Sequence, residues 1–299
     1  ADAIDQSGFS VSSAGDVNGD GFDDLIVGAR AGDASGNLKN YAGESTVIFG
    51  KATGFADIDL AALTTAQGFR IFGADAIDQS GFSVSSAGDV NGDGFDDLIV
   101  GALLGDASDN AKYNAGESTV IFGGDFLGEV TFAGTEVADT LTGTAEAEIF
   151  VGGQGNDTLI GNGGADVFQG GAGNDVIRVA DTSFRLVDGG SGTDTLQLTG
   201  GAQTLDLAVL ANNRITGIET VDLTGSGNHT LKLARADLLD LSDSTNQLFV
   251  NGDAGDQVTV VDAGWINAGP STVNSILYAH YVNGVGELFV DANVITTFI

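Results

Sequence analysis

The pattern of apolar and polar positions favours strands from the start of the chain. Residues 9–13 alternate, residues 25–28 are a short apolar run, and 45–49 and 68–72 carry the same strand-like signature. Between the last two, residues 58–66 are loosely one-sided and predict a short helix. Residues 32–43 are a polar excursion. The whole pattern then recurs. Residues 74–102 are identical to 1–29, a period of 73, and the likeness runs on from 32–50 to 105–123. Four strands per unit is the plan of a propeller blade. The second copy shortens after Phe122, and residues 129–132 are its expected closing strand.

From Gly134 the period falls to nine. The copies at 134–142 and 143–151 are degenerate. Those at 152–160, 161–169, 170–178 and 189–197 follow Gly-Gly-x-Gly-x-Asp-x-apolar-x. The glycine half makes a tight turn, and the apolar residue (Leu159, Val167, Ile177, Leu196) is expected to face a thin core between two sheets. Its recurrence in phase argues against a flexible glycine linker. Residues 179–187 break the pattern and read as an insertion between rungs. Beyond residue 199 no nonapeptide is evident. Strands are predicted at 205–210, 219–223, 229–233, 248–250, 257–261 and 287–290, with a helical turn at 234–241. The expected organisation is all-β. Two blades occupy 1–133, a parallel β-roll 134–198, and a β-rich C-terminal cap with a secretion signal 199–299.

Candidate chemistry sits in the turns. Asp16, Asn18, Asp20 and Asp24 stand at positions 1, 3, 5 and 9 of an acidic loop, with Gly21 at position 6. Asp89, Asn91, Asp93 and Asp97 repeat them. Carboxylates so close repel unless a hard cation lies between them, and calcium takes six to eight oxygens. Phe22 and Phe95 are expected to add their backbone carbonyls. Val27 and Val100 stand where an EF-hand needs a bidentate Glu, so the loop is not an EF-hand. A solvent-facing acidic turn is the competing reading. Two identical copies, each followed by an apolar strand, favour calcium. In the nonapeptides the expected carboxylate ligands are Asp157, Asp166, Asp175 and Asp194. The carbonyls of Gly153, Gly155, Gly164, Gly171, Gly173, Gly190 and Gly192 are expected to join them. Glu148 stands where Asp is usual and predicts a weak site or a cap. Asn251, Asp253 and Asp256 form either a further calcium site or an ordinary Asn-Gly turn.

Charge sharpens this picture. The 299 residues carry 42 acids against 10 bases, a formal net charge of -32. Such a chain avoids nucleic acid and anionic membranes, and needs counter-cations to compact. Cysteine is absent, so no disulfide or thiol chemistry is expected. No run of apolar residues is long enough for a membrane span.

Two family resemblances follow from these motifs. The segment Phe-Ser-Val-Ser-Ser-Ala-Gly-Asp-Val-Asn-Gly-Asp-Gly-Phe-Asp-Asp-Leu-Ile-Val-Gly-Ala, at 9–29 and 82–102, resembles the integrin-alpha-type propeller repeat known as FG-GAP. The resemblance implies calcium in both acidic loops. That family closes about seven blades into a ring, whereas two are present here. Either more blades precede Ala1 in a longer protein, or neighbouring copies cover the open faces. The nonapeptides resemble the RTX family of secreted bacterial proteins. This implies export from a Gram-negative cell through a C-terminal signal, and calcium-coupled folding outside it.

The two histidines, His229 and His280, offer no zinc signature, and no nucleophile elbow or phosphate loop is present. The chain is therefore not expected to be an enzyme. Three function classes remain open. One is a calcium-stabilised structural protein of a bacterial surface or matrix, self-assembling into a filament or layer through open blade faces. Another is an adhesin module that binds a glycan or protein through the divergent loops at 34–41 and 107–114. The third is the secretion tail of a larger enzyme.

Overall fold

The structure, a computed structural model, describes residues 5–34, 36, 38–53, 55–106, 112–211, 213–242 and 245–299. It is built of strands, with a single α-helix among the described residues. Two compact units emerge, Ala1–Asn91 with Phe95–Glu129, and Gly92–Gly94 with Val130–Ile299. Most of the divergent loop at 107–114, and parts of that at 34–41, lie outside the described residues.

In the first unit, β1 (Ser10–Gly15), β2 (Asp24–Ala29), β3 (Glu44–Ile48) and β4 (Gly68–Phe72) form an antiparallel sheet in chain order. The second copy yields β5 (Ser80–Gly88), β6 (Asp97–Ala102) and β7 (Glu117–Ile121). Among the described residues it has no fourth strand, and β7 ends the sheet. The expected closing strand instead appears as Phe132–Ala133, paired in parallel with Ile149–Val151 of the second unit. The helix expected at 58–66 is reduced to a 3-10 turn, Leu60–Ala62, capped by Asp59.

The two sheets share one core. Ile26 and Val47 from the first copy meet Leu98 and Val100 from the second. Identical residues consequently have opposite fates. Ile26 and Val47 are fully buried, yet their copies Ile99 and Val120 are 37% and 43% exposed. Leu98 is buried, yet its copy Leu25 is 45% exposed. Polar contacts tie the sheets together. Ser10 Oγ donates to Gly81 O at 2.8 Å, and Ser80 N donates to Ala42 O at 2.8 Å.

The second unit winds as a parallel coil. Thr158–Ile160 pairs with Val176–Val179 and Ile149–Val151 with Val167–Gln169, so successive rungs alternate between two sheets. One sheet has five strands and the other nine. Phe132, Phe150 and Phe168 stack at 4.9 Å per step. Leu159, Ile177 and Leu196 are fully buried in the same core. Here one expectation is corrected. Phe168, not Val167, is in register with Leu159; Val167 is buried but stands outside that cluster.

The supposed insertion at 179–187 is a rung with one added residue. Leu186 pairs with Val167, 19 residues back, where the regular step is 18. Nor does the coil stop at residue 198. The nine-stranded sheet continues through Thr220–Asp222, Gln247–Asn251 and Gly286–Asp291. A second parallel stack, Thr204–Asp206, Thr230–Leu233, Gln257–Val260 and Ile295–Phe298, faces a different side. The predicted helical turn is the helix Arg235–Leu241, which buries Leu238 and Leu241. A hairpin of Ile266–Val273 and Ile276–Asn283 ends the long sheet. Its Gly269-Pro270 pair reads as a strand breaker, which hid it; Pro270 is tolerated because the strand is an edge.

The phenylalanine stack should carry much of the second unit's packing. Phe168→Ala is expected to cost about 3–5 kcal/mol, because the stacked rings leave no route for collapse into the cavity. Denaturant unfolding in the presence of calcium would measure it.

Candidate metal centre

The acidic loop of the first copy turns on Gly19 and Gly21, both at positive φ (77° and 80°). Asp16 organises it. Its Oδ1 accepts from Gly19 N at 2.9 Å and Asp20 N at 3.0 Å, and its Oδ2 accepts from Gly21 N at 2.6 Å. Asn18 Oδ1 accepts from Asp20 N, and Asp20 Oδ1 from Phe22 N. Asp24 fastens the loop to the sheet, taking Val17 N at 3.0 Å and Gly50 N at 2.7 Å. Asp97 repeats this with Val90 N and Gly123 N, each at 2.9 Å.

Burial differs between the copies. Asp16 and Asn18 are buried, with Asp16 N donating to Asp96 Oδ2 at 2.8 Å. Asp89 is exposed and Asn91 half-buried, while Asp93 and Phe95 are also half-buried. Burial, then the neighbouring charges of Asp20 and Asp24, push the Asp16 carboxyl up to about 8. Burial first, with Asp20 and Asp23, raises Asp24 to about 7. Three acids and an amide oxygen in one turn make an all-oxygen donor set, which suits a hard cation.

The nonapeptide turns build a different kind of site, with one side chain per rung. Asp139 N donates to Asp157 Oδ1, Asp157 N to Asp175 Oδ1, and Asp175 N to Asp194 Oδ1, each at 2.7 Å. Asp194 N ends the ladder on Glu219 Oε2 at 2.9 Å. The other oxygen, Oδ2, of Asp157, Asp175 and Asp194 is buried with no hydrogen-bond partner. Each such orphan costs about 1–3 kcal/mol. Three in a column rival the ~5–15 kcal/mol stability of an ordinary domain. A cation between rungs removes the cost, so the residues fit the ion. Burial raises the carboxyl of Asp175 to about 6 and of Asp194 to about 8, and raises that of Asp157.

Glycine is obligatory where the turns stack. A Cβ on Gly173 would lie 1.6 Å from Gly155 O, and one on Gly192 1.6 Å from Gly173 O. Gly153 and Gly155 turn at φ 91° and 118°, Gly171 and Gly190 at 91° and 82°. The Gly153 and Gly171 carbonyls accept Ala172 N and Ser191 N at 2.8 Å, so they join turn to turn.

The opposite turn column is shorter. Glu148 N donates to Asp166 Oδ1 at 3.0 Å, and Gly164 turns at φ 117°. Glu148 also accepts from Thr144 N and Oγ1, as an end cap would. Burial raises Asp166 to about 6. In the next rung Arg185 N donates to Asp166 O at 2.6 Å, which sets Phe184 in the aspartate position and ends the column. Asp139 and Glu219 join the longer column without having been expected there. Asp139 lies in a degenerate copy, and Glu219 follows Asp194 by 25 residues, far from the nine-residue phase.

Asn251, Asp253 and Asp256 do not gather round a point. Asn251 Oδ1 takes Tyr278 OH, while Asp256 Oδ2 takes Asp253 N. Among the described residues no three acidic or histidine side chains converge on one point; the nonapeptide turns lend one carboxylate each, and Asp16, Asp20 and Asp24 of the blade loop are not drawn together into such a group.

Comparison with known families agrees with this geometry. The model of the RTX calcium-binding nonapeptide repeat matches residues 142–177, in 4 copies. The FG-GAP repeat matches residues 7–48 and 80–121. No curated protein matches the chain. The chain thus carries both repeats, and calcium is the ion of its nonapeptides.

The raised carboxyls set a pH dependence. Their folded values, about 6 to 8 for Asp16, Asp24, Asp166, Asp175 and Asp194, exceed an unfolded value near ~3.9. The folded metal-free chain therefore binds more protons than the unfolded one across that window, and its stability falls as pH rises from about 4 to 8. Metal-free protein should melt higher at pH 5 than at pH 8. Excess calcium should reverse the order, because protons displace the ion. Thermal melts followed by circular dichroism would check both. Asp175→Asn keeps the shape but removes the charge, and is expected to lower the calcium count by one in native mass spectrometry.

Proposed function

We propose that the chain is a calcium-stabilised structural protein of an extracellular surface or matrix, joined copy to copy through its two blades. RTX repeats are typical of secreted proteins. Among the described residues no helix is long and apolar enough to cross a membrane. The reading assigns the chain no catalytic role.

The observation that supports assembly is the opposite burial of identical sequences. Strand β3 is buried along its whole length, while β7, with the same Glu-Ser-Thr-Val-Ile sequence, is exposed at four of its five residues. Eight residues that lie between the sheets have exposed copies. Ser10, Asp16, Ala42 and Val47 become Ser83, Asp89, Ala115 and Val120; Ser80, Gly81, Val84 and Asp96 become Ser7, Gly8, Val11 and Asp23. The outer face of the second blade can therefore receive the outer face of a first blade from another copy by the same bonds. A contact of this heterologous kind propagates.

The experiment uses both faces. Val120→Arg and Val11→Arg place a charge on sites that are 43% and 67% exposed, so the isolated fold tolerates them. Light scattering and electron microscopy in calcium are expected to show polymers for the unaltered chain and monomers for each variant. Mixing the variants should give dimers only, since each retains one working face. A monomeric unaltered chain at high concentration would overturn the assembly reading.

A further inference from the structure

The first acidic loop is held by a residue of the second copy. Asp96 Oδ2 accepts from Asp16 N at 2.8 Å, and Asp96 N donates to Asp16 O at 3.1 Å. Both backbone groups of Asp16, the first position of its loop, are thereby fixed from the neighbouring sheet. The carboxylate has a seat made for it. Gly15 lies at φ 72°, and a Cβ there would stand 2.1 Å from Asp96 Oδ2 and 2.4 Å from its Cγ. A residue with a side chain would leave no room for this contact. A third bond joins the same segment, from Gly124 N to Val17 O at 2.9 Å.

The second loop is built on the same sequence, since residues 74–102 repeat 1–29. Its last position is anchored as in the first loop. Asp24 takes Val17 N and Gly50 N, and Asp97 takes Val90 N and Gly123 N. The first position differs. Gly88 stands for Gly15 at φ 67°, and a Cβ there would meet nothing within 4 Å. Among the described residues, then, no carboxylate takes the seat beside Gly88. Asp23, the copy of Asp96, is exposed, and so is Asp89, whereas Asp16 is buried.

These differences bear on an ion. Ligands ordered before the ion arrives lose less freedom on binding it. Asp96 also sets a carboxylate beside the loop, and a partly buried charge is screened less than an exposed one. Both effects favour the first loop. We propose that Asp96 is a positioning residue for the calcium loop of the other copy, and that it makes two loops of identical sequence unequal calcium sites, the 16–24 loop binding the ion more tightly. The inference rests on calcium filling both loops and does not depend on copy-to-copy assembly.

The test follows amide hydrogen exchange in the full chain during a calcium titration, at a dilution where copies do not meet. Peptides that run past position 30 or 103 tell the loops apart, because Arg30 and Leu103 differ. In the unaltered chain the 16–24 loop is expected to gain protection at a lower calcium concentration than the 89–97 loop, a comparison that needs no variant to fold. Asp96→Ala should raise the 16–24 midpoint by about 10–100-fold, the usual effect of losing a group that orients a metal ligand. Asp96→Asn keeps an acceptor for Asp16 N and should restore part of the loss. Asp23→Ala, the same change in the exposed copy, should shift the 16–24 midpoint less than Asp96→Ala does. Equal midpoints in the unaltered chain, an asparagine variant no better than the alanine, or a larger 16–24 shift from Asp23→Ala would overturn the proposal and leave calcium in the loops. Absence of calcium-dependent protection in both loops would overturn the calcium reading of the blades, and the proposal with it.

Discussion

Negative charge stacked at strand spacing is the constraint on which the second unit depends. Rungs of a parallel sheet lie about 4.8 Å apart. Two carboxylates at that distance repel by roughly 3–4 kcal/mol at the effective dielectric of a protein. Asp139, Asp157, Asp175, Asp194 and Glu219 form such a column, each bridged to the next through a backbone N–H. Those bonds satisfy one oxygen per residue and leave another buried and bare at Asp157, Asp175 and Asp194. Hydrophobic burial of thin rungs cannot offset both terms. Protonation or a divalent cation can, and at neutral pH only the cation does so without leaving the carboxyl group neutral. Calcium binding is then part of the folding free energy rather than an addition to a finished fold.

The same column explains the glycines and the boundaries. Stacked turns bring backbone within reach of backbone, and a methyl group at Gly173 or Gly192 would overlap a carbonyl oxygen of the preceding turn. Where the column ends, the chemistry changes. On one side Phe184 replaces the acid, and Arg214 Nη2 then donates to Phe184 O. On the other, Glu219 closes the ladder with a longer side chain. Beyond it the nine-stranded sheet persists, but the rungs lengthen to take in the helix Arg235–Leu241 and the end hairpin. The C-terminal strands therefore continue the coil and share its core through Leu231, Leu233, Val258 and Val260.

Much of this was legible in residue spacing. Asp157, Asp175 and Asp194 were readable because a nine-residue period fixes both the turn and the inward residue. Asp139 and Glu219 were not, because one lies in a degraded copy and the other follows a long rung. A single added residue between Val179 and Leu186 was enough to disguise a rung as an insertion, since period arguments count residues and hydrogen bonds do not. Val167 and Phe168 are adjacent apolar residues, and a shift of one residue reverses the face in a strand, so spacing alone does not decide that Phe168 is the one in the core cluster.

The blades mark the opposite limit of sequence reasoning. Residues 16–24 and 89–97 are the same, so nothing local distinguishes Asp16 from Asp89, yet one is buried and the other exposed. The difference comes from what lies against each face. In the first copy Asp96 closes over the loop through Asp16 N and O, which desolvates the acids and raises their affinity for protons. Covering the second loop with an equivalent Asp would desolvate Asp89 in the same way and strengthen its need for a cation. In the proposed assembly, contact between copies and ion binding would favour each other at that loop, because both would act on the same charge.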